Sequence, residues 1–149
     1  MFHFDLDLAL AILHHFFVFA LFAVLLAEFV SVRPGMSATA VARVASIDAW
    51  YGALAGLIII VGFARAIFAA KGWNFYAHNT FFWAKIGTIV LIGLLSIPPT
   101  LEFLKWRRTG AAPANEAVVG VRRYLWIEVA LFAPLLAFAA AMARGYGEI

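Results

Sequence analysis

Residues 6–32 read LDLALAILHHFFVFALFAVLLAEFVSV, a run that is apolar over nearly its whole length. A helix needs about 20 apolar residues to cross the hydrocarbon core of a bilayer, which is about 30 Å thick. The run ends at Arg33-Pro34-Gly35, where proline and glycine stop a helix and the arginine meets lipid headgroups. The sequence therefore predicts a first membrane-spanning helix over about residues 6–32.

The stretch before this span, Met1 to Asp7, carries two acids and neither Lys nor Arg. A cleavable secretory signal begins with basic residues. We therefore expect the first span to be retained.

Three more apolar runs follow, at about residues 47–70, 80–104 and 124–143. Each is longer than about 18 residues and lacks the period-two alternation of transmembrane barrel strands. Asn79 or Thr80 is expected to cap the third helix. The Gly, Ala, Pro and Asn segment that runs to Asn115 is expected to be the one true loop. The predicted fold class is an all-α membrane protein, a four-transmembrane-helix bundle in a single domain over residues 1–149.

The composition agrees with four spans and excludes several classes of protein. Of 149 residues, 66% are hydrophobic and 13% are charged, with a mean hydropathy of +0.97, whereas a soluble domain has about 25% charged residues. A soluble enzyme with a separate catalytic domain is excluded. The sequence has no cysteine, so disulfides, thiolate metal sites and iron–sulfur clusters are excluded as well. The eleven Lys and Arg form no basic stripe, so membrane lipid, and not nucleic acid, is the expected partner.

The basic residues instead indicate an orientation. The two loops on one side carry Arg33, Arg43, Lys105, Arg107, Arg108, Arg122 and Arg123. The other side carries Lys71 and Arg144, with Arg65 just inside the second span. Because Lys and Arg accumulate in cytoplasmic loops, we expect both termini on the periplasmic side of a bacterial inner membrane.

His, Arg and Lys side chains from three helices are expected to share one layer in the outer half of the bundle. His14 and His15 lie about 12 Å into the first span, Arg65 is near the outer end of the second, and Lys85 is near the start of the third. Ionisable groups inside a membrane are candidates for function. Two inward cations would bind carboxylates, although Arg65 and Lys85 could instead extend to the headgroups.

Adjacent histidines point about 100° apart on a helix, so only one can face a small ligand. Glu28 lies close to four turns beyond His14 and shares its face, which favours His14 as the inward residue and metal ligand. A ring that is merely hydrogen-bonded to a neighbouring helix is the alternative. Whether His15 or His78 contributes is left open.

Four acids are expected toward the cytoplasm: Glu28, Asp48, Glu102 and Glu128. Each lies near the end of a predicted span, where a carboxylate can reach water or pair with the basic loops. The alternative for Glu28, Asp48 and Glu128 is a proton relay to the outer-half site.

Small residues and polar faces give less specific predictions. Gly52-Ala-Leu-Ala-Gly56 has the spacing that lets membrane helices approach closely, within the bundle or in a homodimer. Thr88, Ser96 and Pro99 fall on the same face as Lys85, so this face is expected to line protein or a cavity.

Several segments quoted above resemble the membrane family called domain of unknown function 2214. The resemblance covers nearly the whole chain and rests on these segments: Ala11-Ile-Leu-His-His-Phe-Phe17, Asp48-Ala-Trp-Tyr-Gly52, Gly62-Phe-Ala-Arg65, Lys71-Gly72 through Tyr76-Ala-His-Asn79, Phe81-Phe-Trp-Ala-Lys85 and Ser96-Ile-Pro-Pro-Thr100. That family is distantly similar to HemJ-type protoporphyrinogen oxidases and to the membrane part of CopD-type copper proteins.

The similarity to HemJ-type proteins, which bind haem b, rests on Leu13-His14 and Ala84-Lys85. It implies that His14 is an axial haem ligand and that Arg65 and Lys85 lie beside the tetrapyrrole as cofactor-binding and catalytic residues. For copper transfer, Met1, Met36 and Met142 do not form the clustered thioether set that soft copper favours.

The residues and the resemblance together predict a haem b-binding inner-membrane protein with a redox role, and the resemblance implies a tetrapyrrole substrate of the protoporphyrinogen type. The alternative is a non-enzymatic accessory or assembly protein whose polar residues only pack helices together.

Overall fold

A computed structural model describes residues 5–68 and 70–149 of the chain, all in helices and short connections apart from one isolated bridge. The helices are α1 (Leu6–Ser31), α2 (Ala38–Phe68), α3 (Gly72–Ala77), α4 (Thr80–Thr109) and α5 (Asn115–Ala143). All but α3 are long and apolar enough to cross a membrane, which confirms the four predicted spans. Residues 1–4, with Met1, and position 69 near the end of the predicted second span lie outside the described residues.

Two helices begin earlier than the hydropathy predicted. α2 starts at Ala38 and α5 at Asn115, each nine residues before the predicted span. Hydropathy reports only the part of a helix that is apolar enough for lipid, whereas these first turns mix Ala and Val with polar residues such as Arg43, Glu116 and Arg122, which lower the hydropathy without ending a helix. At 1.5 Å per residue, α2 is about 46 Å long, more than the roughly 30 Å hydrocarbon core. The bundle therefore projects beyond that core.

The start of α4 is fixed by the residue that the sequence indicated. The side chain of Asn79 accepts hydrogen bonds from the backbone N–H of Phe81 and Phe82, at 3.0 and 3.2 Å, and is completely buried. Neither Pro98 nor Pro99 ends α4, which continues to Thr109. The predicted cap is confirmed, and the loop before α5 is the short segment after Gly110.

The four long helices surround a central axis in the order α1, α2, α4, α5. The largest contacts are within the hairpins α1–α2 and α4–α5, and the hairpins meet through α2–α4 and α1–α5. Within residues 5–68 and 70–149, the diagonal pairs α1–α4 and α2–α5 make no backbone contact. We call the end at which α1 and α4 begin the termini end, and the opposite end the loop end.

The tightly packed core lies toward the loop end. Its residues come from the second half of α1, the first half of α2, the middle and second half of α4, the first two thirds of α5 and the α1–α2 connection. They are Leu21, Leu25, Val32, Met36, Val41, Val44, Ala45, Tyr51, Ile92, Phe103, Trp106, Val118, Val121, Leu125 and Phe132. A smaller cluster of Ala66, Tyr76 and Phe82 lies at the termini end.

The C-terminal residues close the termini end over α3 and the start of α4. The N–H of Thr80 donates to the carbonyl of Gly147 at 2.8 Å, and the N–H of Ile149 donates to the carbonyl of His78 at 3.0 Å. Asn79 also donates through Nδ2 to the carbonyl of Tyr146 at 2.9 Å. This closed end covers the buried Tyr76, and its burial raises the pKa of the phenol against the opposing effect of Arg65.

Candidate functional site

A chamber of about 320 Å³ lies along the bundle axis, where the diagonal helices leave room. It extends from His14 and Lys85 in the termini half to Asp48, Tyr51 and Thr100 in the loop half. Its walls between these groups are mainly aliphatic. They include Val18, Leu21, Ala55, Ile58, Ile59, Ile89, Ile92, Leu135 and Leu136. We call this space the axial chamber.

Two further cavities border His14 and Lys85. The side cavity, about 230 Å³, lies between α2 and α4 and is bordered by Phe63 and Val90, which are 41% and 56% exposed on the lipid-facing surface. The termini cavity, about 300 Å³, lies beneath α3. His14 and Lys85 border all three spaces, so the lipid-facing surface, the termini end and the chamber converge on this pair.

His14 is turned inward, as its shared face with Glu28 predicted. Its Nδ1 is buried and has no hydrogen-bond partner among the described residues. The ring lies against Gly62 of α2, where an added Cβ would be 3.4 Å from Cε1 and 3.6 Å from Nδ1. The imidazole therefore has a fixed packing surface and, within residues 5–68 and 70–149, a ring nitrogen that makes no hydrogen bond.

Arg65 and Lys85 come to the same place from two other helices. Arg65 borders the termini cavity together with Lys85, and its Nε is buried without a partner. Lys71 and Asp7 border this cavity too, and the Nζ of Lys71 lies 4.2 Å from the ring centre of Phe75. The structure thus brings His14, Arg65 and Lys85 together around one space.

The other two described histidines are engaged locally. His15 is exposed, and its Nδ1 lies 2.6 Å from the carbonyl of Ala11, although the ring touches the edge of the termini cavity. His78 is also exposed, with Nδ1 2.9 Å from the carbonyl of Asn74. Neither ring reaches the axial chamber.

The acids of the loop half differ from the expectation that each reaches water or a basic loop. Glu28, Asp48 and Glu128 are only 1%, 8% and 0% exposed. In the described part of the chain, the one ion pair is between Glu102 and Lys105, at 3.5 Å. The prediction is therefore wrong for the three buried acids, because the early starts of α2 and α5 enclose Asp48 and Glu128 within the bundle.

Two residues that were not predicted as site residues donate hydrogen bonds to two of these acids. Tyr51 donates through its hydroxyl to Glu128 Oε2 at 3.1 Å, and Thr100 donates to Asp48 Oδ1 at 2.9 Å. Tyr51 lies one helical turn after Asp48, so a shared face was predictable from the spacing. We call Glu28, Asp48, Tyr51, Thr100 and Glu128 the acidic cluster.

The polar face predicted for α4 is present in part. Lys85 and Ser96 line the axial chamber, as does Thr100, one turn beyond Ser96. Thr88 instead donates to the carbonyl of Ala84 at 2.9 Å, within its own helix.

The glycines of the Gly52–Gly56 segment do not mediate close packing inside one chain. A Cβ added at either glycine would meet no atom within 4 Å, and Gly52 faces the axial chamber. Packing within the bundle therefore does not use this pattern, and the homodimer stays a prediction.

The donor set around the chamber limits which groups it can hold. In the described ranges, no three His, Asp or Glu side chains lie close enough to bind a bare metal ion. A haem iron needs only one or two protein ligands and brings its own two carboxylates. An unused imidazole nitrogen with two inward cations fits such a group.

Comparison with known proteins gives a match along nearly the whole chain. The model of the family described as "Predicted membrane protein (DUF2214)" matches residues 6–147. No curated protein and no solved structure matches. The family description states a location and no activity, so the function is inferred from the geometry of the site.

Proposed function

This chain belongs to the DUF2214 family of membrane proteins, and from its geometry we propose that it binds haem b in the termini half of the bundle and has a redox role. The observation that carries the proposal is the convergence of three cavities on His14 and Lys85. An apolar space with a few convergent polar groups is the usual form of a cofactor site.

Each side chain has a role in this proposal. His14 would bind the haem iron through its imidazole, since the ring borders all three cavities and is packed on Gly62. Arg65 and Lys85 pair with the propionates of the haem or with the carboxylates of a tetrapyrrole substrate. When bound, haem supplies one-electron chemistry. The aliphatic walls of the axial chamber would give the bound group an apolar environment.

The side cavity is the proposed route for an apolar substrate. It leads from the lipid-facing surface between α2 and α4 to His14 and Lys85, and its walls are apolar between those two ends. A tetrapyrrole dissolved in the membrane would reach the site without passing through water. Lys85 and Arg65 would then act as the catalytic residues that hold its carboxylates.

The alternative is an accessory or assembly protein whose buried polar residues only pack helices together. It has support in the loop half, where the Tyr51–Glu128 hydrogen bond joins the diagonal helices α2 and α5 and the Thr100–Asp48 bond joins the adjacent helices α4 and α2. It does not account for the unpartnered His14 Nδ1 and Arg65 Nε in the termini half. We therefore favour the cofactor proposal.

The same proposal includes a location and an orientation. We infer that the protein lies in a bacterial inner membrane with both termini on the periplasmic side, because the loops at the loop end carry most of the Lys and Arg. Cysteines introduced at Thr109 and at Ile149 would be labelled from opposite sides by a membrane-impermeant reagent. Labelling of Thr109→Cys alone from the periplasm would reverse the orientation.

The test of haem binding is a visible spectrum. Protein expressed with ample haem and purified in detergent is expected to show a Soret band that shifts on reduction. His14→Ala is expected to abolish the band, and His15→Ala, the matched control, is expected to retain it. A wild-type protein without a Soret band would refute the proposal, and loss of the band only in His15→Ala would reassign the ligand.

Two further pairs of variants test the surroundings of the iron. Gly62→Leu would displace the His14 ring and lower haem content, whereas Gly56→Leu has free space around it and would not. Lys85→Met is expected to weaken haem binding about tenfold, or roughly 1.4 kcal/mol, and Lys105→Met at the exposed loop end is its control. Equal haem affinity in Lys85→Met and the wild type would remove Lys85 from the site.

A further inference from the structure

The carboxyl groups of the acidic cluster are buried with fewer hydrogen-bond partners than an ionised carboxylate needs. Glu28 Oε2 and Glu128 Oε1 are enclosed and have no hydrogen-bond partner in the part of the chain that the structure describes, on side chains that are 1% and 0% exposed. An ionised carboxylate in such surroundings costs several kcal/mol unless a cation or hydrogen-bond donors compensate it. One hydroxyl, that of Tyr51, reaches Glu128. Charge compensation for Glu28 and Glu128 is therefore incomplete.

A basic residue of the loop half, Arg122, is held by contacts with the end of α1. Arg122 of α5 donates to the carbonyl oxygens of Phe29 and Val32 at the end of α1, and its guanidinium lies 4.6 Å from the ring centre of Phe29. Within the described residues, none of Glu28, Asp48 and Glu128 takes part in an ion pair. Arg122 thus fixes the end of α1 and does not neutralise Glu28.

We propose that the acidic cluster is a buried proton-binding site that exchanges protons with the axial chamber through the Tyr51 hydroxyl. A proton is the ligand that removes the charge of a carboxylate without requiring space. A metal ion is disfavoured, because no three acids or histidines among the described residues approach closely enough to bind one. The proposal goes beyond haem binding and does not depend on it.

Tyr51 is placed to carry the proton. It lines the axial chamber and donates to Glu128 Oε2 at 3.1 Å, so its hydroxyl lies between the chamber and the carboxylate. When hydronium in the chamber gives a proton to the phenolic oxygen, Tyr51 passes its own proton to Glu128. Water and a neutral carboxylic acid remain, and Tyr51 is unchanged.

All four helices contribute groups that face this site. Glu28 comes from α1, Asp48 and Tyr51 from α2, Thr100 from α4, and Glu128 from α5. His14 and Lys85 face it from the other end of the axial chamber. Asp48 also lines the chamber and is a second point at which a proton can enter.

Infrared spectroscopy tests the proton site directly. At neutral pH the wild type is expected to show the C=O stretch of protonated carboxylic acids. Glu28→Gln and Glu128→Gln are each expected to lose part of this band, because glutamine keeps the shape and removes the acid. Glu116→Gln, on the exposed first turn of α5, is the matched control and is expected to keep the full band. Absence of the band in the wild type, or equal loss in Glu116→Gln, would refute the site.

The role of Tyr51 is tested by the rate at which the same band shifts after transfer to D₂O. Tyr51→Phe keeps the ring and removes the hydroxyl, so exchange is expected to slow about tenfold or more. Tyr124→Phe, on the exposed surface of α5, is expected to exchange at the wild-type rate. Unchanged exchange in Tyr51→Phe would refute the route through Tyr51. Neither measurement requires bound haem, so a colourless protein that passes both would refute only the haem proposal.

Discussion

The two halves of the bundle use the same four helices in opposite ways. The loop half holds most of the packed core, and two of its acids, Glu128 and Asp48, accept hydrogen bonds from Tyr51 and Thr100 on other helices. The termini half holds two of the three cavities, together with His14, Arg65 and Lys85, and two of these side chains have unpartnered nitrogens. In a membrane, helices are held by packing and polar contacts, because lipid is as apolar as leucine. The loop half therefore provides most of the stability, and the termini half provides space for a ligand.

The largest expected effect comes from comparing a Phe→Ala substitution in each half. Phe103→Ala removes a ring that is 0% exposed in the core of the loop half, and we expect it to cost about 3 kcal/mol or more of unfolding free energy. Phe63→Ala removes a ring that already borders the side cavity and is 41% exposed, so its cost should be much smaller. Unfolding in mixed detergents measures both. Equal losses of unfolding free energy in the two variants would contradict the inference that the loop half provides most of the stability.

Asn79→Ala tests whether the termini half has a stabilising element of its own. The change removes the cap of α4 and the hydrogen bond to Tyr146, and we expect it to cost about 1–2 kcal/mol. Hydrogen exchange of the backbone amides of Thr80 and Ile149 should become faster in this variant, since both amides belong to the closed end. Amides near Trp106, at the loop end, serve as the internal control. Faster exchange there as well would mean that the two halves unfold together.

Thr100→Val examines one polar contact of the loop half. The valine keeps the shape and removes the donor to Asp48 Oδ1. Polar contacts between membrane helices average about 0.6 kcal/mol, and we expect a loss of this size in the same unfolding assay. Thr88→Val is the control within the same helix, because its hydroxyl bonds only to Ala84. A loss above about 2 kcal/mol would indicate that Asp48 is ionised and depends on this donor.

The smallest expected effect concerns the exposed ion pair. Lys105→Ala removes a contact of 3.5 Å between side chains that are 67% and 34% exposed. Such pairs contribute about 0–1 kcal/mol and are screened by salt. We expect the unfolding free energy to change by less than about 0.5 kcal/mol, with no difference between low and high salt. A larger change would place Glu102 among the groups that hold the loop half together.

The sequence predicts the four spans because the bilayer imposes a minimum length and apolar composition on each. It also indicates the inward direction of His14, from the spacing to Glu28 on one helix. The early starts of α2 and α5 are not predictable from hydropathy, since a helix that leaves the lipid becomes polar without ending. That error led to the expectation that Asp48 and Glu128 lie at a boundary, whereas both are enclosed.

The axial chamber is the part of the site that no local pattern indicates. Its volume depends on how far apart α1 and α4, and α2 and α5, are held, and this distance is set by all four interfaces together. Tyr51 and Thr100 were missed for a related reason, because an aromatic ring and a threonine are common in apolar helices. Each gains its role from an acid on another helix or across the chamber.

The open axis of the bundle also has a mechanical consequence. Hydrostatic pressure favours the state of smaller volume, and the internal voids of a folded protein are what unfolding removes. A molecule that fills the axial chamber, about 320 Å³, would therefore make the bundle more resistant to compression. The volume change of pressure-induced unfolding would then report an occupant that has no colour and no enzymatic readout.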